Sequence, residues 1–294
     1  MALFFAWGLL AGARQPPAIS EQRFRTSVDV IAITATVRDS AGALVTGLTQ
    51  DEFEVFEDGV PQRITQFTSG RVPIGLGLVL DVSDSMRGRR MVEARAAVER
   101  FLLELLDPND EFFVVAFNHE PRVIASWMHG PDDLRPRLNA IRPWGGTALY
   151  DAVLHALPVV AKRSRHRAAI VLISDGADTA SDATLRDLRA ALTRSDAFVY
   201  AIAVDPADVR AKSTRVNPTA LREITDDTGG RTSVVRDTDE LGMATAQIAD
   251  ELNKQYVIGY TRTRPPDGEY HTIRVRVKGG GRFAQARRGY VAVR

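Results

Sequence analysis

Short apolar runs recur through the middle of the chain: Ile74-Gly-Leu-Gly-Leu-Val-Leu80, Glu111-Phe-Phe-Val-Val-Ala-Phe117, Ile170-Val-Leu-Ile173 and Ala197-Phe-Val-Tyr-Ala-Ile-Ala-Val204. A continuous run of this length predicts a strand covered on both faces. Between the runs the apolar period changes to that of a helix, at Met91, Val98, Leu102 and Leu105, with Arg95 the one polar interruption, and again at Leu241, Ala244, Ile248 and Leu252. Asp237 and Glu240 suit a capping box at the start of the last helix. Alternating strands and helices predict an α/β domain with a mostly parallel sheet wrapped by helices. Arg122-Val-Ile-Ala-Ser-Trp127 adds a short antiparallel edge.

The flanks read differently. Val28–Val37 is rich in β-branched residues, Asp39-Ser-Ala-Gly42 is turn-like, Phe53–Gly59 is a strand entering a turn, and Arg63–Phe67 is another short strand. About 40 residues of short strands struggle to build a core alone. At the other end, His271–Lys278 alternates cleanly, and Gly279-Gly-Gly281 turns it into a closing segment from Phe283 to Val293. Both flanks are expected to pair into one small β-sandwich, with the α/β domain inserted between them. Arg274, Arg276 and Lys278 then form a solvated face.

Candidate chemistry sits at three strand ends. Asp81-Val-Ser83-Asp-Ser85 follows the first apolar run, where the carboxyl end of a strand meets a loop and α/β sheets bind ligands. Its oxygen donors suit a hard divalent cation such as Mg2+, and they equally suit a helix N-cap. Trp144-Gly-Gly-Thr147 sets a hydroxyl after a flexible glycine pair, and Ser174-Asp175-Gly176 repeats the order of strand, carboxylate and turn glycine. Thr147 could cap its helix and Asp175 could start a turn.

In these segments the chain resembles the von Willebrand factor A domain family, including the integrin inserted domains. That family's metal-ion-dependent adhesion site runs Asp-x-Ser-x-Ser, then Thr, then Asp, and all five positions match in order. The resemblance covers residues 72 to 250. It implies a Rossmann-like domain in which Ser83, Ser85 and Thr147 ligate a cation directly, while Asp81 and Asp175 hold it mostly through water. Mg2+ is the expected ion, with Mn2+ or Ca2+ possible. A Glu or Asp carboxylate of a protein partner would fill the remaining position. The arrangement of the flanks is similar to the β-sandwich that carries the A-like domain of integrin β chains.

Composition narrows the partners. With 294 residues and 45% apolar content the chain can bury a sizeable core. A net charge of +1 gives no pull towards nucleic acid or membrane. Zero cysteines exclude disulfides, thiolate metal sites and a cysteine nucleophile. Met1–Ala13 is apolar and closes on Ala11-Gly-Ala13, which reads as a secretory signal cleaved after Ala13, although no Lys or Arg precedes its apolar core. The expected organisation is therefore a signal at 1–13, a linker at 14–26, sandwich strands at 27–70, the α/β domain at 72–253 and further sandwich strands at 255–294. A secreted, periplasmic or cell-surface location follows, in a bacterial type of protein.

Catalysis is a weaker reading. His155 lies inside a helix, Ser174-Asp175 lacks the glycines of a nucleophile elbow, and Gly75-x-Gly77 precedes a strand end instead of opening a helix. A Mg2+-dependent phosphatase would need a nucleophilic carboxylate, an acid or base near it where Ser83 stands in place of Asp, and a cationic group such as lysine for phosphate. An intracellular A domain serving an ATPase-driven assembly or metal-insertion machine is the other alternative. Asp151 and Asp178 could support the metal site or simply begin helices. His119 could border the cleft, and specificity would come from loops at 86–90, 118–121, 143–146 and 178–181.

Overall fold

In the computed structural model, residues 30–102, 106–128, 134–205 and 217–293 are described. The signal and linker expected at 1–26, and Leu105, lie outside them. The chain opens with β1 (Val30–Asp39), β2 (Phe53–Glu57), β3 (Val60–Gln62) and β4 (Ile64–Thr68). A strand–helix succession follows: β5 (Ile74–Asp81), α1 (Arg89–Arg100), β6 (Glu111–Phe117), β7 (Pro121–Met128), α2 (Leu134–Ala140), α3 (Leu149–Val160) and β8 (Arg167–Ser174). It continues through α4 (Leu185–Leu192), β9 (Phe198–Val204), α5 (Pro218–Thr225), β10 (Thr232–Val235) and α6 (Thr238–Asn253). β11 (Tyr256–Thr261), β12 (Tyr270–Val277), β13 (Arg282–Ala286) and β14 (Gly289–Val291) close the chain.

The middle strands form one sheet in the order β10-β9-β8-β5-β6-β7, parallel except for the β6–β7 pair at the edge. β5 is buried at every residue because both its faces are covered. Leu76, Leu78 and Leu80 pack with Met91, Val98, Leu241 and Ile248 of α1 and α6. Val79 points the other way, into a core shared with α3, α4 and α5. Burying each such leucine contributes roughly 1.5–3 kcal/mol. Gly75 and Gly77 are set by packing: a Cβ on Gly77 would lie 2.5 Å from the Phe113 ring.

Strands from both flanks pair with one another. β1 lies between β11 and β13, and β11 also pairs with β4, while β2 lies between β12 and β3. Ile33, Val37, Phe53, Val55, Tyr256, Ile258, Ile273 and Tyr290 of these two antiparallel sheets share one core. Phe53 and Tyr256 contact with ring centroids 5.0 Å apart, and the Tyr256 hydroxyl donates to the Val45 carbonyl at 2.9 Å. The closing segment expected from Phe283 to Val293 runs as two short strands. It breaks after β13, which joins β1, and resumes as β14 beside β12, so each half finishes a different sheet.

The two cores meet at a buried polar junction. Arg167 donates to the carbonyls of Val72 and Leu252 and to Gln255, which in turn donates to Tyr200 and Thr36. Glu251, at the end of α6, pairs with both Arg38 of β1 and Arg231.

Candidate metal centre at the carboxyl edge of the sheet

The chain leaves β5 towards β6 on one side and later returns to β8 on the other. The carboxyl ends of β5 and β8 therefore splay apart, which is the switch point where open α/β sheets bind ligands. Asp81 ends β5 and Asp175 follows β8. Both are buried, at 0% and 1% exposure.

Three loops are knitted over this edge by backbone hydrogen bonds. Trp144 N–H donates to Val82 and Asp84 N–H to Gly145, joining the first loop to the second. Thr179 and Ala180 N–H groups both donate to the Thr147 carbonyl, joining the second to the third. Gly145 and Gly176 both take positive φ, and a side chain at either would strike a neighbour: His119 Nδ1 at 2.8 Å and the Asn217 carbonyl oxygen at 2.6 Å. These glycines are the positions that let the loops close.

Within this frame the five expected residues are held at one edge. Ser83 Oγ and Ser85 Oγ are 3.0 Å apart. Asp81 Oδ1 accepts from Ser83 N–H at 2.9 Å, and its Oδ2 accepts from Ser174 Oγ at 2.6 Å. Asp175 accepts from Arg90 Nη1 at 3.3 Å and from Ala177 N–H at 3.3 Å. Loss of solvation pushes Asp81 up to about 7 against the hydrogen bonds from Ser174 and Ser83, and the nearby Asp175 charge adds to the rise. A cation beside Asp81 would offset the cost of burying its charge, as the Arg90 guanidinium does beside Asp175.

The helix-capping alternatives fail for the hydroxyls. α1 starts from Gly88, with no side-chain cap, and Ser83 makes no capping bond to the short turn at Asp84–Met86. α3 starts two residues beyond Thr147. Its free N–H groups are met by Asp178, which accepts from Leu149 at 2.8 Å, and by Ser181, which accepts from Tyr150 at 3.0 Å. Among the described residues the Thr147 hydroxyl makes no hydrogen bond. Asp175 does take the turn role as well, since its carboxylate receives the Ala177 N–H across Gly176. Asp178 and Asp151 are structural: Asp151 accepts from the N–H groups of Asp182 and Ala183.

Arg90 was not legible as a site residue. It sits in a run of loop-like arginines, yet it is 2% exposed, with Nη1 on the Ser85 carbonyl at 2.9 Å and on Asp175. Met86 is likewise buried in the core and Asn118 bonds back to Trp144. The specificity loops therefore expose fewer residues than expected: Arg87, Gly88, Arg89, His119, Glu120, Trp144 and Thr179 remain at the surface. Trp144 is 51% exposed and packs edge-on against His119, centroids 4.6 Å apart. His155 is an exposed position of α3, away from any such contact.

Residues 76–177 match the family model of the von Willebrand factor type A domain. A solved von Willebrand factor type A protein from Catenulispora acidiphila superposes with a TM-score of 0.53 at 14% identity, covering 91% of this chain and 75% of that one. The fold is that of a von Willebrand factor type A domain with added antiparallel sheets. The corresponding domain of the pilus tip protein Mfa5 from Porphyromonas gingivalis aligns at a TM-score of 0.50 and 15% identity, over 62% of this chain and 96% of that one. In sequence, inter-alpha-trypsin inhibitor heavy chain H4 from Bos taurus is 26% identical over 123 residues, 38% of this chain but 13% of that protein. The matched segment thus spans a small part of the curated relatives it matches. No helix among the described residues is long and apolar enough to cross a membrane.

Proposed function

We propose that this protein is an exported interaction module that captures an acidic residue of a protein partner through a divalent cation at its A-type domain. Asp81, Ser83, Ser85, Thr147 and Asp175 would hold Mg2+, with Mn2+ or Ca2+ as the other candidates. The observation that carries the reading is the Ser83–Ser85 hydroxyl pair, free of any capping role and 3.0 Å apart beside the buried Asp81. Adjacent ligands of an octahedral Mg2+ with bonds of 2.0–2.1 Å stand about 2.9 Å apart, so the donor set fits the ion. When bound, the cation supplies a Lewis-acidic point for a carboxylate. Both Asp81 oxygens already accept hydrogen bonds from the protein, which suits orienting a ligand better than attacking one. Binding without turnover is therefore the reading we adopt. Trp144 and His119 offer the partner an apolar and aromatic rim. We further propose that residues 72–253 are an insertion between sandwich strands at 27–70 and 255–294, behind the signal at 1–13.

Titrating the purified chain calorimetrically with Mg2+ and Mn2+, beside Ser83→Ala and Asp175→Ala, tests the metal. Heats unchanged in both variants would refute the site. Capture of a partner from envelope extract should then be abolished by chelator; capture that persists in chelator contradicts the mechanism.

A further inference from the structure

A second group of ligating atoms lies in the sandwich, in a different part of the fold. Glu57, Asp58 and His271 each bring one nitrogen or oxygen within 4.8 Å of the others. β2 and β12 are paired neighbours, and the turn after β2 carries Asp58. Asp58 Oδ1 is committed to the Thr272 N–H at 2.8 Å, which turns Oδ2 towards His271 Nδ1 at 2.7 Å. Glu57, 8% exposed, has Oε1 3.7 Å from the same nitrogen, and that oxygen accepts from the Tyr290 hydroxyl at 3.2 Å. Among the described residues neither carboxylate has a lysine or arginine partner. The Tyr260 hydroxyl is fully buried beside Glu57 and completes no hydrogen bond.

Both ring nitrogens of His271 face carboxylates. His271 Nε2 lies 3.1 Å from Asp267 Oδ1 and 3.4 Å from Arg262 Nη2. With Nδ1–H donated to Asp58 and Nε2–H donated to Asp267 the ring is an imidazolium held between carboxylates, and those hydrogen bonds raise its pKa above the ordinary value. A divalent cation facing Glu57 and Asp58 would take the place of the Nδ1 proton and leave Nε2–H on Asp267. Carboxylate, then histidine, then metal is the order in which such relays orient a ligating imidazole. A small cleft of about 80 Å³, lined by Glu57, Asp58, Gln62, Arg262 and Arg264, opens onto the two carboxylates.

We propose that Glu57, Asp58 and His271 form a second divalent-cation site, suited to a borderline ion such as Zn2+ and separate from the hydroxyl-rich centre. One nitrogen and two carboxylates match zinc chemistry, where hydroxyls suit Mg2+. The ion ties the β2–β3 turn to β12, so it acts as a clamp on the sandwich. Asp267 is a positioning residue acting through His271.

The test is titration of the metal-stripped full chain with ZnCl2, with Co2+ absorption as a second readout. Wild type and Ser83→Ala should both bind Zn2+, show tetrahedral Co2+ bands and melt at a higher temperature with Zn2+. His271→Gln and Asp58→Asn should lose all three while retaining the wild-type circular dichroism and the Mg2+ response. Asp267→Asn should weaken Zn2+ by about 10- to 100-fold. Undiminished Zn2+ affinity in both His271→Gln and Asp58→Asn overturns the proposal. So does an NMR spectrum in which His271 Nδ1 keeps its proton at saturating Zn2+.

Discussion

Replacing Asp81 with Asn separates the cost of a buried charge from the shape of the site. Asn matches Asp in size, and its Oδ1 still accepts from Ser83 N–H while its amide faces Ser174 Oγ. A hydroxyl oxygen has two lone pairs, so Ser174 can accept that amide and keep the Gly176 N–H. In the wild type, burial moves the carboxyl from 3.8 to about 7. At about 1.36 kcal/mol per pKa unit, this difference corresponds to about 4 kcal/mol. The folded value is raised, so the unfolded chain releases its proton near 3.8 while the folded protein keeps it until about 7. Metal-free wild type therefore loses stability as pH rises through that window and stays level above it. Asp81→Asn escapes the loss. In excess EDTA the variant should be the more stable protein at pH 8, by up to about 4 kcal/mol, and the gap should vanish near pH 4. Urea unfolding followed by circular dichroism across this range measures it. Mg2+ should narrow the gap, because an ion at 100 times its Kd adds about 2.7 kcal/mol to whichever protein binds it. A variant less stable than wild type at pH 8 in EDTA, or a difference that ignores pH, would refute the reasoning.

Three other substitutions probe the frame. Gly77→Ala drives a methyl to within 2.5 Å of Phe113 and should cost about 1–3 kcal/mol in thermal melts, with Phe113→Leu restoring part of it. Glu111 is held below its usual pKa: burial opposes its charge, but the Ser164 hydroxyl and the N–H groups of Ser164 and Arg165 outweigh that. Its stabilisation is present above the unfolded value of 4.5 and is lost as pH falls through the folded one, so Glu111→Gln should be weaker by about 1–3 kcal/mol at pH 7 and converge with wild type in acid. Gln255→Ala removes one of the three acceptors of Arg167 and the donor to Tyr200 at the junction and should cost about 1–3 kcal/mol; a negligible change in urea midpoint would mean that the two cores are not coupled there.

The apolar runs at 74–80, 111–117, 170–173 and 197–204 were sufficient to place β5, β6, β8 and β9, because a strand covered on both faces has no polar position to hide. The order of the motif is likewise what singles out Asp81, Ser83, Ser85, Thr147 and Asp175 as the proposed metal ligands. Short strands such as β10 and β3 carry too little pattern to be read. The break between β13 and β14 depends on which sheet each half completes.

Local sequence determined the strand ends, the turn glycines at 145 and 176, and the oxygen chemistry waiting there. Whether those oxygens were caps or free donors was a tertiary matter: Asp178 and Ser181, from a loop about 30 residues on, cap α3 and leave the Thr147 hydroxyl unused. Arg90 became a buried partner of Asp175 only because β8 returns beside β5, and His271 met Glu57 and Asp58 only because the two flanks share a sheet. Periodicity reports which face of an element is covered, and it says nothing of which distant charge does the covering.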